Sequence, residues 1–394
     1  MSIQLSERLS AVKPSPTLAI TARAAEMRAA GKDIIGLGAG EPDFDTPDPI
    51  KAAAIEAINQ GFTKYTAVDG TPSLKQAIID KFKKDNNFDY TLKQILVSSG
   101  GKQSFYNLTQ ALLNKGDEVI IPAPYWVSYP DMVLLADATP VIVNASQAQN
   151  FKISPEQLRA AITDNTRLFV INSPSNPTGS AYSLAELKAL ADVLLDYPNI
   201  IVATDDMYEH ILWEKNTFIN ILNACPALYP RTMVLNGVSK AYSMTGWRIG
   251  YAAGPEELIS GMRKVQSQST SNPCSISQVA AENAITGDQG CIDTMMVEFK
   301  KRHDYVVDEL NTIEGVECLK TDGTFYVFPN IEKLIARLDN INNDLDLAEF
   351  FIEKAEVAIV PGSAFGCSGH MRISIATSMK NLEIALQRIK QSIQ

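Results

Sequence analysis

A chain of 394 residues, 45% of them hydrophobic, can bury one large core or two moderate ones, and that excludes a disordered chain. Thirty-five basic against forty-five acidic residues leave a formal net charge of -10, which argues against a nucleic-acid surface, and no apolar run is long enough and free enough of charge to span a membrane. Three histidines and five scattered cysteines lack metal-ligand spacing, so free thiols in a reducing compartment, the cytoplasm, are expected.

In chain order, a first helix is predicted over residues 18–30, with Ile20, Ala22, Ala25 and Ala29 on one stripe and Gly31 as its stop. A short extended run, 33–37, then enters Gly38-Ala-Gly-Glu-Pro-Asp-Phe-Asp-Thr-Pro47, which cannot be helical and is either a connector or the wall of a site. Helices follow over 49–59 and 70–84. After them the pattern becomes regular. Short apolar runs at 95–97, 118–121, 141–143, 168–171, 200–203, 233–235 and 249–253 alternate with helical stretches such as 103–113, 155–161 and 184–195. That alternation predicts an α/β unit built on a mostly parallel seven-stranded sheet with helices on both faces. Beyond Pro255, 258–266, 277–286 and 290–313 read as helices, the last long enough to tie two domains together. Strands at 316–319, 325–328, 357–360 and 371–375, with helices at 348–355 and 379–389, predict a smaller α+β part, and 338–345 reads as an exposed insertion.

Lys240 and Arg248 stand eight residues apart on the connection between the runs 233–235 and 249–253. An amine there can form a Schiff base with an aldehyde cofactor, and a guanidinium can grip a phosphate with two bonds; taken alone, the pair is weak evidence, because surface Lys and Arg on a solvated loop are the commoner pattern. Gly100-Gly-Lys-Gln103 lies between a strand and a helix, where free amides can hold phosphate oxygens, but it lacks the spacing of a nucleotide P-loop. Tyr125-Trp126 follows Pro122 and Pro124, Asn172-Ser-Pro-Ser-Asn-Pro-Thr-Gly179 is a proline-rigid turn, and Thr204-Asp-Asp-Met-Tyr208 follows a buried strand.

Ser239-Lys-Ala-Tyr-Ser-Met-Thr-Gly-Trp-Arg-Ile-Gly-Tyr251 resembles the cofactor-lysine segment of fold-type I, pyridoxal-phosphate-dependent aminotransferases of the class I/II group. The likeness runs from about Leu5 to the C-terminus, with its blocks in the family's order, and is closest to bacterial aspartate aminotransferases that also accept prephenate. It implies pyridoxal 5'-phosphate bound through Lys240, with Gly101, Lys102 and Arg248 at the phosphate and Trp126 stacked on the ring. Asn176 and Tyr208 would then face the ring's phenolate oxygen, and Asp205 its nitrogen. Met371-Arg-Ile-Ser374 resembles the segment that receives the substrate α-carboxylate, so Arg372 and the backbone of Gly40 are assigned to it. Tyr65 matches a tyrosine that reaches the other subunit's phosphate, which implies a homodimer with active sites at the subunit interface. Lys13-Pro-Ser-Pro-Thr17 resembles the N-terminal segment of the aspartate/prephenate subgroup and puts Lys13, with Lys102, near a second carboxylate. The resemblance also divides the chain into a large cofactor-binding domain, 48–290, and a small one, 1–47 with 291–394.

These readings converge on a ping-pong transaminase acting on aspartate and 2-oxoglutarate, and the subgroup resemblance implies a second reaction, amination of prephenate to arogenate. Two rivals stand beside it. Another enzyme on the same fold, a neutral or aromatic transaminase or a carbon–sulfur lyase, would share the cofactor residues; a non-catalytic regulatory or structural protein would retain the fold, with or without the cofactor.

Overall fold

Seven of the short apolar runs do pair into one sheet. The computed structural model describes residues 3, 5–12, 14, 16–214 and 218–394. After β1 (Ile35–Gly36) come β2 (Ile95–Ser98), β3 (Glu118–Ala123), β4 (Thr139–Asn144), β5 (Thr166–Asn172), β6 (Ile201–Asp205), β7 (Thr232–Gly237) and β8 (Gly250–Ala253). Strands two to eight form the sheet in the order β2-β8-β7-β6-β5-β3-β4, with β8 antiparallel to both neighbours and the other pairs parallel.

Side-chain alternation explains why these runs are apolar throughout. Ile95 and Val97 of β2 point into one layer with Leu74, Ile78, Phe82 and Leu187, while Leu96 points into the other with Phe105, Leu108 and Met262. β5 repeats the division, with Phe169 and Ile171 on the first side and Leu168 and Val170 on the second. Each layer is a set of helices whose starts follow from local sequence. Ser183 and Glu186 close a capping box ahead of the helix Leu184–Leu195, and Thr71 caps Pro72–Asn86, where proline takes the first turn.

A second core forms around the helix Gly290–Leu310. There Phe299, Val306 and Leu310 pack on Phe325 and Tyr326, on Val357, Ile359 and Ile373, and on Leu382 and Leu386 of the last helix, Met379–Ser392. Its strands are short: β9 (Tyr326–Val327), β10 (Val357–Ala358), β11 (Val360–Pro361) and β12 (Met371–Ser374), with β11-β12-β9 antiparallel and β1 parallel to β10. Leu37 joins this core from the N-terminal side.

The strand expected at 316–319 does not form. Only Glu317 bridges to Asn330, because the side chain of Asn311 takes both backbone groups of Cys318, accepting its N–H at 2.8 Å and donating to its carbonyl at 2.9 Å. In the segment expected as an exposed insertion, Asp344 is buried and accepts the Ser363 amide at 2.6 Å, tying that turn to the segment after β11. A seven-residue helix, Ser128–Leu134, stands where no element was expected.

Candidate active site

The carboxyl ends of four strands open into a cleft of about 550 Å³. β3 runs on to Trp126, β5 to the turn carrying Asn176, β6 ends on Asp205, and β7 leads into Lys240. Chain polarity alone therefore collects these residues on one edge of the sheet. The second core adds Gly40, from the loop after β1, and Arg372, from β12.

Lys240 Nζ donates to the Gly40 carbonyl. Burial, reinforced by the charges of Arg372 and Arg248 and opposed by Glu41 and Asp205, pulls its pKa down to about 8. An amine so placed is partly neutral near physiological pH, as a nucleophile or proton carrier must be. Asp205 is the counterpart. Its carboxyl is pushed above the usual range by burial, against which the Tyr129 hydroxyl, the Met207 amide and Lys240 favour the anion. Its neighbour Asp206 turns away from the cleft, accepts from Thr204 at 2.6 Å and from Asn220, and is raised to about 8 by burial.

Arg372 is buried between the rings of Tyr326 and Phe365, with its guanidinium carbon 4.5 and 4.9 Å from their centroids. It donates to Asn176 Oδ1 at 3.0 Å and to the Gly38 carbonyl at 2.7 Å, while its Nε has no partner among the described residues. A buried, unpartnered donor on a fixed fork is the signature of an anion site. Asn176 is itself held, its backbone N–H donating to Asn172 Oδ1 at 2.8 Å. Tyr208 meets Tyr326 hydroxyl to hydroxyl at 3.2 Å.

At the other end, the helix Gly101–Leu112 begins behind Gly100, which has φ +91° and no side chain to cap the first amides. The Arg248 guanidinium lies so close over this turn that a Cβ on Gly100 would overlap it, and one on Gly250 would overlap the Gly101 amide. Lys102 Nζ stands 5.1 Å from the centre of the Trp126 ring, and burial followed by the charge of Arg248 lowers its pKa. Free amides and two cations thus converge on one small turn.

All of the residues singled out in the sequence line this cleft except two. Tyr65 is 90% exposed, on a loop braced by Gln266, which donates to the Val68 carbonyl at 2.7 Å, and by Gln278, which donates to Thr66 Oγ1 at 3.0 Å. Lys13 lies outside the described residues. Two lining or supporting tyrosines escaped the sequence reading. Tyr326 sits in a strand pattern and reads as core, and Tyr129 lies in the unexpected helix; its spacing of three from Trp126 was the available signal.

The model of the family described as aminotransferase class I and II matches residues 32–389. The chain belongs to that family. The aspartate/prephenate aminotransferase of Nitrosomonas europaea is 60% identical over 392 residues, covering 98% of this chain and 99% of that protein, and that of Cereibacter sphaeroides is 55% identical over 390 residues, covering 98% of each. Among solved structures, the aspartate aminotransferase of Rhizobium meliloti superimposes with a TM-score of 0.96 at 47% identity, over 100% of this chain and 99% of that one. The Thermus thermophilus aspartate aminotransferase with maleate gives 0.93 at 40% identity, over 99% and 100%.

Membership of the class I and II aminotransferases implies pyridoxal phosphate, and the cleft fits it. The glycine turn under Arg248 offers room and charge suited to a phosphate, and a buried carboxylate and a lysine amine of lowered pKa line the same cleft. In this aminotransferase Gly100→Ala is expected to push Arg248 off the turn and to strain a left-handed backbone, weakening cofactor retention about tenfold or more. Equilibrium dialysis reads this, and undiminished retention would remove Arg248 from the phosphate site.

Proposed function

We propose that this chain is a pyridoxal-phosphate-dependent aspartate aminotransferase. It moves the amino group of L-aspartate to 2-oxoglutarate in two alternating half-reactions, releasing oxaloacetate and then L-glutamate, and it also aminates prephenate to arogenate. The observation that carries this reading is the meeting in one cleft of a lysine amine lowered to about 8, a buried carboxylate and an arginine with an unused donor. The names of the relatives support the choice of substrates, and maleate, held by the Thermus thermophilus protein, is a dicarboxylate like aspartate.

When bound, pyridoxal phosphate supplies an aldehyde carbon that takes up amino groups and a pyridine ring that draws electron density from the substrate α-carbon. Arg248 and the amides of Gly101 and Lys102 would hold its phosphate, Trp126 its ring face, Asn176 and Tyr208 its phenolate oxygen, and Asp205 its ring nitrogen. Arg372 and the Gly40 backbone receive the substrate α-carboxylate. Lys240 Nζ takes the α-proton of the amino acid in one half-reaction and returns a proton to the α-carbon of the keto acid in the other. The second carboxylate would be received by Lys13, which lies outside the described residues, helped by Lys102 at the cleft wall. Receiving that group by point charges rather than by a fork suits both aspartate and the bulkier prephenate.

The exposed Tyr65, close in sequence to Ile55, Ile58 and Phe62, which are also exposed, suits a face covered by a second copy, whose phosphate Tyr65 would reach. On this reading the active unit is a homodimer; a fully active monomer in sedimentation would refute it. Residues 48–290 would hold the cofactor, and 1–47 with 291–394 would bring Gly40 and Arg372 to the substrate.

The decisive experiment mixes cofactor-loaded protein with single amino acids and follows the cofactor's absorbance. Aspartate and glutamate are expected to convert it rapidly, neutral amino acids slowly, and prephenate to restore it as 2-oxoglutarate does. Release of ammonia or pyruvate without an acceptor would overturn the reading in favour of a lyase.

A further inference from the structure

Both oxygens of Asp205 are bound by the protein. Oδ1 accepts the Met207 amide at 3.2 Å, and Oδ2 accepts the Tyr129 hydroxyl at 2.5 Å; the Asn172 side chain holds the Asp205 carbonyl at 2.9 Å. Tyr129 comes from the short helix Ser128–Leu134, where Tyr129, Met132 and Val133 form the buried stripe at i, i+3 and i+4. From there its hydroxyl reaches across the end of β5 to the end of β6, so the two residues come from strand ends that are not neighbours in the sheet.

Packing accounts for the ring of Tyr129 but not for its hydroxyl. The ring, 1% exposed, lies 4.9 Å from Phe105 and 5.2 Å from Trp126, edge to face at 86°, contacts that a phenylalanine would keep. Other buried tyrosines of this chain place their hydroxyls elsewhere: that of Tyr182 accepts the Ile153 amide at 3.0 Å, and that of Tyr90 has no partner among the described residues. A phenol spent on a buried carboxylate that lines the cleft is a choice of partner.

We propose that Tyr129 is a positioning residue: by donating to Asp205 Oδ2 it fixes that carboxylate toward the cleft as an anion, and so keeps the proton of the ion pair on the cofactor's ring nitrogen. This rests on the reading that pyridoxal phosphate lies with its ring nitrogen against Asp205. Burial alone drives Asp205 toward its neutral acid, in which case a proton shared with the ring would sit on the carboxyl and the ring would be a weaker electron sink. A hydrogen bond to the charged form opposes that, and those to charged groups are the strong ones. Tyr129 does not compete for the role of anion, because burial and the Asp205 charge push its own pKa well above the ordinary value. The remaining ionisable groups around Asp205 are Lys240, which favours the anion, and Tyr208 and Asp206, which stay protonated over the neutral range, the latter up to about 8.

Tyr129→Phe removes only the hydroxyl. With pyridoxal phosphate labelled with 15N in the ring, the wild-type holoenzyme is expected to give the nitrogen resonance of a protonated pyridine, and the variant a resonance moved toward the unprotonated position. Turnover of aspartate should fall about ten- to a hundredfold with KM changed less than threefold, since the loss is confined to the electron sink. In an Asp205→Asn background the same substitution should change neither readout, which separates action through Asp205 from a general packing effect. An unchanged resonance in a folded Tyr129→Phe protein, or an equal loss in the Asp205→Asn background, would overturn the proposal alone. A wild-type protein that takes up no labelled cofactor would overturn the cofactor reading and this proposal with it.

Discussion

Replacing Lys240 with alanine is expected to lower the rate of amino transfer from aspartate by at least about 10⁴-fold while the protein still binds pyridoxal phosphate. On the proposed reading, removing Nζ takes away both the attachment point and the proton carrier, whereas Arg248, the Gly101 turn and Asp205, which line the same cleft, would remain to hold the cofactor. Lys240→Arg should be as inactive, because a guanidinium keeps the charge but cannot become neutral. A variant retaining a tenth of the wild-type rate would show that another base moves the α-proton. The pKa adds two further readouts. In the cofactor-free protein, covalent capture of the cofactor at position 240 should rise with pH and reach half its maximum near pH 8. The stability consequence has the opposite sense to an ordinary ion pair. The folded-state value, about 8, lies below the unfolded value, 10.5, so the unfolded chain binds more protons between them and stability rises with pH through that window. Below about pH 8 the buried charge costs up to about 3 kcal/mol. Lys240→Met should therefore raise the melting temperature of the cofactor-free protein at pH 7, with the gain shrinking toward pH 10.5; a variant less stable at pH 7 would contradict the lowered pKa.

That a reactive lysine could be found in the sequence at all follows from how this fold writes itself. Strands buried on both faces are short, mainly apolar runs, and polar or charged residues are free to appear at and just past their carboxyl ends. Asp205, Asn176 and Lys240 stand out for this reason. What the runs do not carry is direction. Nothing in Gly250–Ala253 distinguishes an antiparallel strand inserted between β2 and β7 from a parallel one at an edge. Nor does Thr204-Asp-Asp say which acid faces the cleft; resemblance selected Asp205, and the structure turns Asp206 toward Thr204 and Asn220. The helix Ser128–Leu134 was missed because seven residues with Pro130 inside give too short a period to read, and Tyr129 was missed with it. In 316–319 the apolar pattern pointed to a strand, but a side chain, Asn311, had already taken the backbone groups a strand would need.

Arg372→Ala is expected to cut kcat/KM by about 10³-fold, some 4 kcal/mol, for aspartate, glutamate and 2-oxoglutarate alike, with most of the loss in KM. The size follows from the setting. Arg372 is 3% exposed and its guanidinium is clamped between two rings, so a carboxylate received there would be taken out of water, and a partner removed there is not replaced by solvent. Two of its bonds also hold the walls of the cleft, to Asn176 and to Gly38, so the variant loosens the turn that faces the phenolate oxygen as well. Arg372→Lys should recover little, because one ammonium cannot serve Asn176, Gly38 and a carboxylate from the same place. The comparison that isolates the role is with Lys102→Ala. The α-carboxylate is common to every amino acid, so the Arg372 variants should lose the same factor on alanine as on aspartate. Lys102, a cation at the cleft wall whose proposed partner is the second carboxylate, should matter for aspartate and glutamate and leave alanine nearly untouched. If the Arg372 variant instead spared alanine, this arginine would be reading the distal carboxylate, and the substrate would lie the other way round in the cleft.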